Sequence, residues 1–320
     1  MEPHILSFPN EITAEIFTHF LPPYPDRPSV VGPLSPSFLL GICRQWYDLD
    51  IQVDDDELHA QQHHLLQLWL QRSGNCPLSI ELRNFESGSL RRRSHPLMPA
   101  FLETMLCHAS RWQDMHIFMP YENLRQLEAS VSMPLLRSLT FGPDNLHRMT
   151  DDTPERPMHL FTQAPQLKAV VLSHSFNPFC ITLPWSQITT LEAVLFDDQF
   201  FEILRQAQAL ESCTLWLNSQ DFESPNLPTI PTLSRLRYLK VEGGTKEWAF
   251  FLQGFLRRLG TLPALESLHI SEMFLGPDPV DAICSLRPRG YPREIEIWQA
   301  CASLDVYRGA FPEAQLAISA

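Results

Sequence analysis

The sequence predicts an α/β fold in which a small helical hairpin precedes a repeat solenoid built on a parallel sheet. Three observations carry this expectation. Between Trp112 and Ile270, seven segments fit the pattern apolar-x-x-apolar-x-apolar. Three of these segments, beginning at Leu136, Leu167 and Leu265, have a proline two residues earlier, at Pro134, Pro165 and Pro263. Finally, Phe8 to Leu49 reads as two short amphipathic stretches divided by a proline-rich loop.

In the first stretch Pro9 suits an opening helical turn, where a missing N–H is harmless, and Glu11 favours the positive end of the helix. Ile12, Ile16, Phe17, Phe20 and Leu21 then fall on one broad face, and Leu21-Pro22-Pro23 ends the helix. Ser35-Pro36 repeats the start signal, and Leu39, Ile42, Cys43, Trp46 and Leu49 form a second stripe. Two such helices are too small to bury both stripes by themselves, so the apolar surplus predicts a covering partner protein.

Residues 54–76 read as a helix with an acidic start at Asp54 to Glu57, apolar positions at Leu58, Leu65, Leu66 and Trp69, and Gly74 just past its end. His59 and His63 stand four apart on it, which is compatible with a metal ligand pair. A solvated polar face is the expectation preferred here, because nothing nearby completes a ligand set. Leu78 to Leu82 alternates like a half-buried strand. The run Arg91-Arg92-Arg93 falls in a polar loop, and Leu97, Phe101, Leu102, Met105 and Leu106 make another amphipathic helix.

The seven repeats then follow as Trp112-x-x-Met115-x-Ile117, Leu136-x-x-Leu139-x-Phe141, Leu167-x-x-Val170-x-Leu172 and Leu191-x-x-Val194-x-Phe196, then Leu210-x-x-Cys213-x-Leu215, Leu236-x-x-Leu239-x-Val241 and Leu265-x-x-Leu268-x-Ile270. Their strand signature and irregular spacing resemble leucine-rich repeats. The family's asparagine, eight residues after the first apolar position, occurs only as Asn218, so the repeats are irregular. A two-layer α/β domain is the rival architecture. Phe200–Ala209 and Glu247–Leu259 read as intervening helices, Glu294 to Trp298 as a last strand, and the remainder as a cap.

With the repeats placed, the first forty-odd residues take on a further resemblance. Phe8-Pro9-Asn10-Glu11-Ile12 with Glu15-Ile16-Phe17, followed by Leu39-Leu40 and Ile42-Cys43-Arg44-Gln45-Trp46-Tyr47-Asp48-Leu49, resembles an F-box. The whole chain is thus similar to F-box proteins with irregular leucine-rich repeats, a type abundant in fungi. The resemblance implies docking on the Skp adaptor of a cullin-containing ubiquitin ligase. Pro9, Ile12, Ile16 and Phe17 would lie in the docking surface, supported by Leu40, Cys43 and Trp46. The implied organisation is an F-box-like domain over 1–53, a linker with capping elements over 54–110, a solenoid over 111–300 and a cap over 301–320. The family's Thr-Pro-x-Leu-Trp closure is replaced by Asp54-Asp55-Asp56-Glu57.

Composition narrows the function classes. A net charge of −13 argues against nucleic acid or an anionic membrane as the main partner. No apolar run reaches the ~20 residues of a membrane span, and Met1 to Glu11 lacks the basic start of a secretory signal. Seven cysteines without a C-x-x-C pair read as reduced, mostly buried thiols of a cytoplasmic or nuclear protein. No phosphate-cradling loop, H-E-x-x-H or G-x-S-x-G motif occurs. We therefore expect no enzyme activity, no catalytic or metal-ligating residues and no cofactor. A metal-dependent hydrolase on His59 and His63 is a remote alternative.

Side chains between the buried repeat positions face the other way. They include Val171, Leu195, Trp216 and Tyr238 as an expected apolar patch, with Asp197, Lys240, Glu242 and His269 around it. The expected client-binding set is Val171, Leu195, Trp216, Tyr238, Lys240 and His269. The functional expectation is a substrate-recruiting adaptor of a Skp–cullin–F-box ubiquitin ligase, with a client protein held by the repeats. The alternative is a repeat scaffold with no ligase role.

Overall fold

Apolar residues three and then two apart along each repeat become the inner side of parallel strands in the computed structural model. It describes residues 48–52, 63–83 except 65, 68–69 and 72, 98–118, 131–142, 159–172, 181–217 except 196, 232–242, 259–286 except 276, 291–300 and 302–319. The F-box-like positions Pro9, Ile12, Ile16, Phe17, Leu40, Cys43 and Trp46 lie outside these, as do His59, Arg91 to Arg93 and the helix expected over Glu247–Leu259 except its last residue. The chain divides into two compact units. Unit 1 is Met1–Arg148 with Met158–Gln166, and unit 2 is Met149–Pro157 with Leu167–Ala320.

Unit 1 carries β1 (Asp48–Gln52), β2 (Leu78–Arg83), β3 (Trp112–Phe118) and β4 (Ser138–Gly142), each parallel to its chain neighbour. β1 corrects one element. Asp48 and Leu49 were expected at the end of the second hairpin helix, yet they pair with Ser79 and Ile80 as a strand. The physical reason is visible in the sequence: Trp46-x-x-Leu49-x-Ile51 is itself a repeat signature, which competes with the helical stripe. Likewise β2, expected ahead of the solenoid, pairs directly with β3.

The helix expected over Leu97 to Ala109 is α1 (Met98–Leu106), which buries Phe101, Leu102 and Met105 at the i, i+1 and i+4 spacing of one face. Residues 63–71 are helical where described and bury Leu66 and Leu70. Gly74 follows at φ 57°, the left-handed conformation that glycine adopts without penalty. His63 departs from the expected solvated face: its Nε2 lies 2.9 Å from Thr104 Oγ1 and its ring 5.1 Å from Phe101, so it packs on α1.

Arg111 ties these pieces together. Buried at the foot of β3, it donates to the Cys76 carbonyl at 2.9 Å, the Leu70 carbonyl at 3.3 Å and Ser73 Oγ at 2.5 Å. Beside it, His108 is held below its ordinary pKa by burial and then by the guanidinium. We expect Arg111→Met to destabilise unit 1 by about 2–3 kcal/mol, because two carbonyls and a hydroxyl lose their donor while the aliphatic stem is kept. Urea unfolding followed by circular dichroism measures this, and a loss below about 0.5 kcal/mol would contradict the tie.

Unit 2 carries β5 (Ala169–Leu172), β6 (Thr190–Leu195), β7 (Ser212–Leu217), β8 (Tyr238–Glu242), β9 (Ser267–Ser271), β10 (Glu294–Trp298) and β11 (Gln315–Ile318), again parallel in chain order. Helices intervene as α2 (Asp197–Gln206), α3 (Pro279–Leu286) and α4 (Leu304–Ala310). The first, second and third repeat positions form three buried rows, for example Leu236, Leu265 and Pro292, then Leu239, Leu268 and Ile295, then Val241, Ile270 and Ile297. Cys213 sits in the middle row, and burial pushes its thiol pKa far up. Cys107 and Cys284, by contrast, are exposed, against the expectation of mostly buried thiols.

Register corrects the fourth repeat. Leu191 pairs with Val170 and Ala193 with Leu172, so the segment is Ile188-x-x-Leu191-x-Ala193, all buried, and not the one beginning at Leu191. Successive starts then lie between 21 residues (188 − 167) and 31 residues (167 − 136) apart. Two further expectations shift. Asp197, expected beside the outward apolar patch, opens α2 together with Asp198, as acidic residues suit a helix start. β10 is not the last strand, since α4 leads on to β11, and Tyr307 and Phe311 are buried beneath this end.

The prolines turn out to act in turns. Before the first apolar position, Leu136 N–H bonds the Met133 carbonyl, Ile188 the Trp185 carbonyl, Leu210 the Ala207 carbonyl, and Leu265 the Leu262 carbonyl. Pro134 and Pro263 occupy the second position of such turns, where their fixed φ is already correct. The next backbone N–H then bonds the equivalent carbonyl one repeat back: Arg137 to Gln113 in unit 1, and Glu211 to Thr189, Arg237 to Glu211 and Glu266 to Arg237 in unit 2.

Candidate functional site

The outward face of unit 2 is set by strand alternation. With Val170, Leu191, Cys213, Leu239, Leu268 and Ile295 turned inward, the intervening residues form three rows. The first row is Ala169, Thr190, Ser212, Tyr238, Ser267 and Glu294. Val171, Glu192, Thr214, Lys240, His269 and Glu296 make the second. Val194, Trp216 and Glu242 are successive neighbours in the third, and Ser271 and Trp298 continue it.

Of the residues expected on this face, Val171, Trp216, Tyr238, Lys240 and His269 are there and half-buried. Leu195 is not in their rows. It pairs with Leu217, at the register parity of Ala193, and Val194 takes the place beside Trp216. Asp197, expected on the rim, belongs to α2. The strand that sequence reasoning set apart, β10, contributes Glu294, Glu296 and Trp298. Their signal was present as Ile295-x-Ile297, the last two apolar positions of a repeat whose first position is Pro292.

Across β8, β9 and β10 these side chains make one connected cluster. The His269 ring lies 5.0 Å from the Tyr238 ring and 6.3 Å from Trp298. Its Nδ1 is 2.5 Å from Glu296 Oε2, and its Nε2 is 2.7 Å from Ser267 Oγ. Ser267 Oγ donates to Glu294 Oε2 at 2.8 Å, and Trp298 Nε1 donates to Glu296 Oε1 at 2.9 Å. Lys240 Nζ pairs with Glu242 at 2.6 Å and stands 5.4 Å from the centre of the Trp298 ring.

Electrostatics follow these contacts. Burial pushes the Glu296 carboxyl up, but hydrogen bonds from His269 and Trp298 outweigh it, and the net shift is downward. The hydrogen bond to Glu242 holds the Lys240 ammonium above its ordinary pKa. Burial, reinforced by the neighbouring carboxylates, raises that of Tyr238. Among the described residues of the three rows, Glu192, Glu242, Glu294 and Glu296 face a single lysine.

Ser267, His269 and Glu296 stand in the order of a nucleophile, base and acid, yet the surroundings do not suit acyl transfer. Parallel-sheet N–H groups lie in the sheet plane, bonded to the next strand, so they do not aim at an oxyanion above the face. What the face presents is aromatic surface ringed by oriented carboxylates.

In unit 1 the corresponding rows are more enclosed. Glu81 and Thr140 are buried, and Ser79 Oγ donates to Asp114 at 3.1 Å. Among the described residues no group of three His, Cys, Asp or Glu side chains is arranged to hold a metal ion. None of their helices is long and apolar enough to cross a membrane. No protein-family model matches the chain, and no curated protein is significantly similar to it.

Proposed function

We propose that this chain is a recruiting adaptor, in which the outward face of unit 2 holds a client polypeptide and the N-terminal hairpin docks on the Skp adaptor of a Skp–cullin–F-box ubiquitin ligase. The observation that carries the client half is the Tyr238–His269–Trp298 aromatic diagonal across the three rows, half-buried on a sheet face and rimmed by polar groups, the composition that interfaces favour. The ligase half rests on the Pro9 to Phe17 and Leu40 to Trp46 motifs of the sequence. Ubiquitin transfer would then come from proximity: the client's lysines are held near a charged enzyme that this chain does not contain.

Co-expression with a Skp adaptor tests the docking. The wild-type chain is expected to co-purify with it, and the Ile16→Asp/Trp46→Ala double variant to lose it while keeping its circular dichroism spectrum. Undiminished co-purification by the folded double variant would defeat the docking assignment.

A second reading, a repeat scaffold without a ligase role, is favoured by one specific observation. β1 draws Asp48 and Leu49, at the tail of the F-box-like motif, into pairing with β2. Under that reading the wild-type chain would retain client proteins and no ligase subunit.

A further inference from the structure

We propose that the β8–β10 face of unit 2 takes a basic polypeptide segment, with an arginine or lysine side chain of the partner seated against Trp298 and Tyr238 between the carboxylates of Glu294 and Glu296. This names the chemistry of the client and rests on the reading of that face as its binding surface, though not on any ligase docking.

Charge complementarity selects the occupant. On these three strands Glu242, Glu294 and Glu296 face outward, against Lys240 and the His269 imidazole. Lys240 is committed to Glu242 at 2.6 Å, so it offsets a carboxylate of its own strand, and the β10 pair faces the His269 imidazole, which stands 2.5 Å from Glu296 and 3.9 Å from Glu294. The turn edge that precedes the rows is mixed in sign, with Lys168, Arg237 and Arg293 against Glu211 and Glu266, so the acidic surplus of the face does not come from that edge.

Geometry makes the carboxylates receptive as well as numerous. Glu296 is held between two partners, His269 and Trp298, so it gives up little rotamer freedom when a cation arrives, and Glu294 stands 2.8 Å from the Ser267 hydroxyl. Glu294 keeps half of its side-chain surface in solvent and Glu296 about a third, at 50% and 35%. Trp298 already has one ammonium within cation–π range, which demonstrates that its ring is presented to a positive group. A guanidinium is the better fit, because it can stack on an aromatic ring and donate to two carboxylates in its plane at once. Beyond this cluster, Val171, Val194 and Trp216 continue the same face toward β5, so an apolar residue beside the basic one would extend the contact.

The test is an array of random dodecapeptides probed with the labelled full-length chain. The bound set is expected to be enriched in arginine and lysine, with affinity falling as sodium chloride is raised. Glu294→Gln/Glu296→Gln is expected to weaken the best binders about tenfold, and Trp298→Leu by a similar factor. Glu103→Gln/Glu313→Gln, which removes the same charge from exposed positions off this face, should leave affinity unchanged.

No bound peptides, a bound set without basic enrichment, or equal losses in the two double variants would overturn the proposal. None of these outcomes touches the Skp docking, which the co-purification assay judges separately. Failure of that docking with the peptide result intact would leave a scaffold that binds basic segments.

Discussion

Leu268→Ala is expected to destabilise unit 2 by about 3–4 kcal/mol, and Leu268→Asp to prevent its cooperative folding. Leu268 is fully buried on β9, with Leu239 and Ile295 beside it in the same row and Leu265 and Ile270 before and after it. Truncation to alanine removes three carbon atoms from a row whose neighbours are held in place by strand pairing on both sides, so the space cannot close by a simple shift. Aspartate adds an ionised group with no partner in an apolar interior. Urea denaturation of the full chain reads the first effect, and loss of the unfolding transition reads the second. A change under about 1 kcal/mol for the alanine variant would mean that Leu268 is not interior.

The second large effect tests register. Ala193→Phe should cost about 2–3 kcal/mol or more, because Ala193 is fully buried between Leu172 and Leu215 and has no room for a ring. Val194→Phe, one residue on, should change stability by less than about 0.5 kcal/mol, since Val194 stands half-buried on the outward face beside Trp216. Thermal melts of the two variants side by side give the comparison. If the order were reversed, the repeat would begin at Leu191 after all, and the outward rows of β6 would change places.

These two positions also mark where the sequence was readable and where it was not. Leu136, Leu167, Leu210, Leu236 and Leu265 announce their strands because leucine or valine fills most inner positions and the outward ones are mostly polar. At β6 two overlapping matches exist, and the true one ends in alanine, which carries little apolar signal. Only contacts distant in sequence decide, such as Thr189 N–H to the Lys168 carbonyl at 2.9 Å. β10 escaped the series because Pro292 replaces the first leucine, and with it went Glu294, Glu296 and Trp298. The β10 part of the outward cluster was therefore invisible as part of it. Tyr238, Lys240 and His269 were legible from alternation alone, but their mutual stacking depends on β8, β9 and β10 lying side by side in one register, which no local pattern encodes.

The turn that opens several repeats has a consequence for how such a chain can change. The strands at Leu136, Ile188, Leu210, Leu236 and Leu265 are entered through a tight corner and pinned by backbone N–H groups to the same point of the preceding repeat. Whatever lies between one strand's exit and the next corner is free to differ in length, as the uneven spacing already demonstrates. Insertions and deletions in those connecting arches should leave the outward rows facing as they do. A lineage could then remodel its loops extensively while Tyr238, His269 and Trp298 go on meeting one another.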